Sequence, residues 1–234
     1  LHRVPFAALR DDHGQPLVRA SGPSLTYAPS VSVLLQRWSA PATAAARSCL
    51  AVGYDGAREG RALRHSEAEA RLVASLTGGE AWVGPQSKKE MLRQAASECR
   101  WLHIACHGQF DEDDPLASYL ETGAGERLTA REVLQDWRLR AELVALSACQ
   151  SGVSRIVRGD EPLGLVRAFL YAGAQAVLVS QWPVEDLPTA LLMQRFYREL
   201  QSAAEADPAR ALHGAQTWLR ELATAQSGAL FAGA

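Results

Sequence analysis

The chain has 234 residues, 47% of them hydrophobic, and a formal net charge of −2. That length and apolar content suit one large single-core domain in preference to a main domain with an appendage. The near-balance of charge excludes a general attraction to nucleic acid or to an anionic membrane, so partners are expected among proteins and small molecules.

Residues 1–38 combine short apolar pieces with turn formers at Asp11–Pro16 and Gly22–Pro23, predicting a β-hairpin that runs into a short helix capped near Ser30. Ser39–Ala46 reads as a loose connection, and Cys49–Gly53 (CLAVG) as a short buried strand ending in glycine. From Ser66 the period changes. Ala70, Val73, Ala74 and Leu76 fall on one helical face, Ser66 is a candidate cap, Glu67 and Glu69 suit a first turn, and Gly78-Gly79 ends the helix. Ala81–Val83 is a minimal strand and Gly84-Pro85 a turn. Ser87–Cys99 follows as a helix with a capping box formed by Ser87 and Glu90.

Trp101–Cys106 (WLHIAC) is a compact apolar strand leading to His107-Gly108, and Asp111–Pro115 an acidic exposed turn. Tyr119-Leu120 and Arg127-Leu128 flank Gly123–Gly125 as a hairpin, and Thr129 with Glu132 forms a second capping box for a helix reaching Trp137. Leu143–Leu146 has the length and composition of a strand buried on both faces, and the small or polar residues after it leave Cys149 at the strand end. A polar loop, Val153–Pro162, precedes the helix Leu163–Ala172 and the strand Ala176–Ser180. Helices Asp186–Leu200 and Pro208–Ala223 complete the chain. Strands alternating with helices imply βαβ units and a mostly parallel sheet covered on both faces. The chain begins at Leu1 with residues that read as the inside of a fold, so a longer parent protein is expected.

The cysteines, Cys49, Cys99, Cys106 and Cys149, are spread out with no CxxC pair. They read as thiols of a reducing compartment, not as a disulfide framework or a zinc site. No apolar run reaches the roughly 18 residues of a membrane-spanning helix, and the amino end, LHRVPFAALRDD, lacks the layout of a signal peptide. A cytoplasmic location with no membrane partner is expected.

Two consecutive buried strands end in reactive residues, His107 and Cys149. Were they neighbours in a parallel sheet, both would lie at its carboxyl edge, where open α/β sheets place their chemistry. A thiolate is a strong nucleophile, and a nearby imidazole stabilises it or carries protons to a leaving amine. The amides of Gly108 and Cys149 are candidate donors to an oxyanion, which together suggests peptide-bond hydrolysis. A lone strand-end cysteine or histidine is more often a packing residue; His103 and Cys106, inside the strand, are read that way.

The segments HIACHG (His103–Gly108), LVALSACQSG (Leu143–Gly152), GDEPLGLVRAFLYAGA (Gly159–Ala174) and VLVSQWPVED (Val177–Asp186) closely resemble the CHAT domain. This is a caspase-like family of cysteine peptidases related to separase, caspases and gingipains, and often fused to tetratricopeptide repeats. The resemblance runs from PFAAL near the start to the helix containing Ala211–Trp218. It implies a caspase-like three-layer α/β/α sandwich with a mostly parallel central sheet. Residues 1–48 are expected to be an amino-terminal lead-in and 49–234 the peptidase core.

By the same resemblance His107 matches the catalytic histidine, Cys149 the nucleophile, and Gly108 with the Cys149 amide the oxyanion-binding groups. Ser151 stands where the family often has Thr, and keeps the hydroxyl. No metal or organic cofactor is implied. The implied partners are a protein substrate and a regulatory repeat domain in the same or another chain, in a regulated bacterial defence or cell-death pathway. Asp160, Asp186 and Trp182 are candidate substrate-binding residues, and acidic walls favour a basic substrate side chain. Against this, Asp160 and Glu161 also suit a cap for the helix from Leu163, Asp186 a cap for its own helix, and Trp182 a packing role. Arg155 and Arg158 read either as solvated loop residues or as a self-cleavage site. The alternative function is a non-catalytic scaffold that binds a partner peptide in the crevice. A nucleotide-binding reading is disfavoured because no Gly-rich loop follows the first strand.

Overall fold

The computed structural model describes residues 6–14, 16–17, 24–28, 35, 47–56, 62–111, 113–149, 163–202 and 206–232. At its centre, strands β1 (Arg47–Gly53), β2 (Glu80–Val83) and β3 (Cys99–Gln109) are followed by a hairpin of β4 (Tyr119–Thr122) and β5 (Glu126–Thr129). Then come β6 (Leu143–Cys149) and β7 (Ala176–Val179). The parallel strands lie in the order β2-β1-β3-β6-β7, while β4 pairs antiparallel with the last two residues of β3, and β5 with β4. The helices are α1 (Ser66–Thr77), α2 (Lys89–Ala96), α3 (Ala130–Asp136), α4 (Leu163–Ala172), α5 (Asp186–Ser202) and α6 (Pro208–Ala232).

Because side chains alternate along a strand, each central strand supplies two faces. Leu50, Val52, Leu102, Ile104, Val144 and Leu146 pack with Leu92 of α2, Val133 of α3 and Phe169 of α4. The intervening positions Cys49, Ala51, Trp101, Leu143 and Ala145 pack with Val73 of α1, Phe196 and Tyr197 of α5, and Ala211 and Ala215 of α6. Burial on both faces is why these strands read as continuous apolar runs. The result is the expected three-layer sandwich with a mostly parallel sheet, which fits a caspase-like fold.

Several local expectations are corrected. Ser66 is the first residue of α1 and not its cap, which is His65; the Ser66 hydroxyl donates to the Leu63 carbonyl at 3.3 Å. The helix expected from Ser87 starts at Lys89, and Cys99 already belongs to β3. Its expected capping box does not form. The Ser87 hydroxyl donates to the Gly84 carbonyl at 2.7 Å, and the Lys89 amide donates to Glu126 of β5 at 2.9 Å. The Thr129–Glu132 box forms in both directions. Of the lead-in, the described residues show a turn at Asp11–Gly14 closed by an antiparallel bridge between Arg10 and Pro16. The helix start at Ser30 lies outside the described residues.

Candidate active site

β3 and β6 are adjacent and parallel, and their register runs from Trp101 opposite Leu143 to His107 opposite Cys149. Residues directly opposite in neighbouring parallel strands share a sheet face, and the strands stand about 4.8 Å apart. His107 is within β3, not beyond it, and is buried at 8% exposure. The strand continues through Gly108 and Gln109, which face Leu120 and Tyr119 of β4. Glycine at 108 has a packing cause: a Cβ there would stand 3.0 Å from that of Ala148 and 3.3 Å from Cδ2 of Leu120.

The segment after β1 closes the other flank of His107. Gly56, at φ +64°, sits so near that a Cβ would overlap the imidazole at Cδ2, lie 3.0 Å from Nε2, and lie 3.2 Å from Oε2 of Glu121 on β4. Only glycine combines that backbone conformation with that approach.

On the same face as His107, His103 is fully buried, with Nε2 3.0 Å from Oε1 of Glu69 and Nδ1 3.3 Å from the Tyr197 hydroxyl. The Glu69 approach is close but not aligned as a hydrogen bond. His103 is therefore buried as expected, but as the centre of a polar group joining β3, α1 and α5. The sequence reading missed Glu69 and Tyr197. The available signal was that Glu69 lies one helical turn before Val73, on the apolar face of α1.

Trp182 follows β7 at the same sheet edge and is 51% exposed, so it is not packed beneath the fold. Asp186 opens α5, and its Oδ2 accepts the His65 amide at 2.9 Å, joining the starts of α5 and α1. Asp160 lies outside the described residues, as do Glu161 and the loop Val153–Pro162. Cys49, Cys99 and Cys106 are buried thiols outside any disulfide. Burial pushes the Cys49 thiol up to about 12, against a hydrogen bond with Thr77 that pulls it down. Among the described residues, no three His, Cys, Asp or Glu side chains converge to hold a metal ion, and no helix is long and apolar enough to cross a membrane.

The family model of the CHAT domain matches residues 1–228. This chain belongs to the CHAT-domain family. The domain is also similar to tetratricopeptide repeat protein 28 of Homo sapiens, 29% identical over 181 residues, which is 62% of this chain and 7% of the relative. The Mus musculus counterpart is 28% identical over 177 residues, 60% of this chain and again 7% of the relative. The CHAT domain thus spans a small fraction of the length of the relatives it matches.

Proposed function

We propose that this CHAT domain is a cysteine endopeptidase with Cys149 as nucleophile and His107 as general acid and base. The observation that carries the reading is the register pairing His107 with Cys149 at the carboxyl ends of adjacent parallel strands. In the proposed reaction His107 takes the Cys149 thiol proton, and the thiolate attacks the scissile carbonyl carbon. The amides of Gly108 and Cys149 donate to the oxyanion. Collapse of the adduct breaks the C–N bond, and the imidazolium gives its proton to the leaving amine. Water, deprotonated by His107, then hydrolyses the thioester, releasing the acid and restoring the thiol. No cofactor takes part in this sequence.

Asp160 and Asp186 are proposed to line the pocket for the substrate side chain before the cut, with Trp182 as a wall. Asp186 has one oxygen already tied to His65. Residues 1–48 are proposed as the lead-in to the core at 49–234. The proposed setting is cytoplasmic, in a regulated defence or cell-death pathway. Similarity to proteins named for tetratricopeptide repeats supports a repeat domain, in this or another chain, as the regulatory partner.

Cleavage of a peptide library tests the reading. Cys149→Ala should abolish cleavage, and His107→Ala should lower it by about 10²–10⁴-fold, both with the fold intact. Cleavage near the wild-type rate by Cys149→Ala would sink the mechanism. Selection for Arg or Lys before the cut supports the acidic pocket, whereas aliphatic selection rejects it. The second reading is a non-catalytic scaffold that binds a partner peptide in the crevice. Alkylation of Cys149 no faster than of buried Cys49 and Cys99 would favour that scaffold.

A further inference from the structure

We propose that Asp186 is a positioning residue for the turn that carries Trp182, which it fixes by capping α1 from α5; its effect on catalysis rests on the peptidase reading above, with Trp182 as a pocket wall. α1 begins without a side-chain cap of its own. His65 at the N-cap makes no side-chain cap hydrogen bond. The third helical position, from which a Glu or Gln would reach back to the N-cap amide, is Ala68. The acceptor comes instead from another helix, 121 positions along the chain: Oδ2 of Asp186 takes the His65 amide at 2.9 Å. This carboxylate lies in the first turn of α5 and at the start of α1, two helix ends that favour negative charge.

The turn Ser180–Glu185 depends on such an anchor. Gln181, Trp182, Pro183 and Glu185 are exposed, and Ser180 and Val184 half-buried, so burial does not set where Trp182 stands. The two ends of the turn set it. One is β7, in register with β6 up to Val179 opposite Leu146. The other is the start of α5, where the Thr189 hydroxyl donates to the Glu185 carbonyl at 2.6 Å and Asp186 is tied to His65. Deeper in the fold, Val73 of α1 packs with Phe196 and Tyr197 of α5, and Glu69, His103 and Tyr197 join both helices to β3. Of these links between α1 and α5, the Asp186 bond is the one at the carboxyl edge of the sheet.

From His65 the connection runs back towards the candidate histidine. The Leu63 amide donates to the Asp55 carbonyl at 2.9 Å, and Gly56 lies against the His107 ring. One hydrogen bond thus joins the segment flanking His107 to the turn that carries Trp182.

The test compares wild type with Asp186→Asn, Asp186→Ala and the double variant Asp186→Ala with Ala68→Glu. The readouts are hydrogen exchange at the His65 amide and, in protein labelled with 5-fluorotryptophan, the fluorine resonance of Trp182, assigned with Trp182→Phe. Asp186→Ala should speed His65 exchange about tenfold, as befits loss of a hydrogen bond to a charged group, and should move the Trp182 resonance. Asp186→Asn keeps an acceptor oxygen and should recover most of both. Ala68 is exposed, so Ala68→Glu restores an acceptor within α1; it should return the His65 protection and leave Trp182 displaced. On peptide substrates Asp186→Ala should raise KM about threefold to tenfold with kcat little changed, whatever residue precedes the cut. Unchanged His65 exchange in Asp186→Ala, or no recovery in Asp186→Asn, overturns the clamp. A Trp182 resonance that Asp186→Ala does not move, or that Ala68→Glu restores, reduces Asp186 to a helix cap. A KM rise confined to peptides with Arg or Lys before the cut makes Asp186 a pocket wall and overturns the positioning role. If wild type cleaves no peptide, the peptidase reading fails, and the exchange and fluorine results still decide whether Asp186 fixes the turn.

Discussion

His103 and His107 occupy the same face of one strand, and their surroundings separate them. His103 is locked between Glu69 and Tyr197, whereas His107 is at the edge, opposite Cys149 and against Gly56. Residue types and strand-end positions brought His107 and Cys149 forward together as candidates in the sequence, and the resemblance to the CHAT domain is what implied their roles. The approach of Gly56 to the imidazole was not legible, because the packing of the segment after β1 against β3 is a tertiary fact that no local pattern encodes. Among the thiols, Cys49 makes a sharp prediction. Burial holds its proton up to about 12, from an ordinary value of 9.0. Between those values the unfolded chain has lost the proton and the native chain keeps it. The associated stability is therefore complete below pH 9 and is lost as pH climbs through that window, by about 1.4 kcal/mol per pH unit. Tyr197, raised well above its ordinary value by its own burial, adds a loss of the same sign at higher pH. Urea unfolding of Cys49→Ala across this range should show a decline shallower by the Cys49 share. An unchanged slope would contradict the assignment.

At the scale of elements, the two capping boxes read from sequence had different fates. Thr129 and Glu132 meet because β5 delivers Thr129 in extended conformation directly into α3. Ser87 and Glu90 do not, because Ser87 closes the preceding turn on Gly84, Glu126 takes over the first amide of α2, and Glu90 pairs with Arg93. A box is thus readable when the cap has no better acceptor nearby, and sequence spacing does not report that competition. Gly78, the left-handed C-cap of α1 at φ +63°, was readable because few residues other than glycine suit the position. Thr129→Ala should cost about 1 kcal/mol, lowering the melting temperature by about 2–4 °C in a chain of this size. Glu90→Ala should leave it unmoved, since the Glu90–Arg93 pair is exposed. Thermal denaturation followed by circular dichroism checks both.

For the molecule as a whole, the sandwich class followed from strands apolar on both faces alternating with helices. The order β2-β1-β3-β6-β7 did not, since a run such as WLHIAC carries no information about which strands flank it. The two cores are separate bodies of contact divided by the sheet. Phe169, fully buried and edge-on to Trp137 with ring centroids 6.0 Å apart, anchors the one beneath α4. Phe169→Ala should cost about 3–5 kcal/mol, measurable by urea denaturation, and a loss under 1 kcal/mol would show that core collapsing around the gap. The central place of β3 also has a consequence for synthesis. Its neighbour on one side, β1, leaves the ribosome before it, while its neighbour on the other, β6, leaves only after the β4–β5 hairpin and α3 have been made. Throughout that interval the apolar middle of β3 presents an unpaired edge, and such edges recruit other chains. The strand that carries His107 therefore also needs shielding in the nascent chain until Leu143–Cys149 emerges.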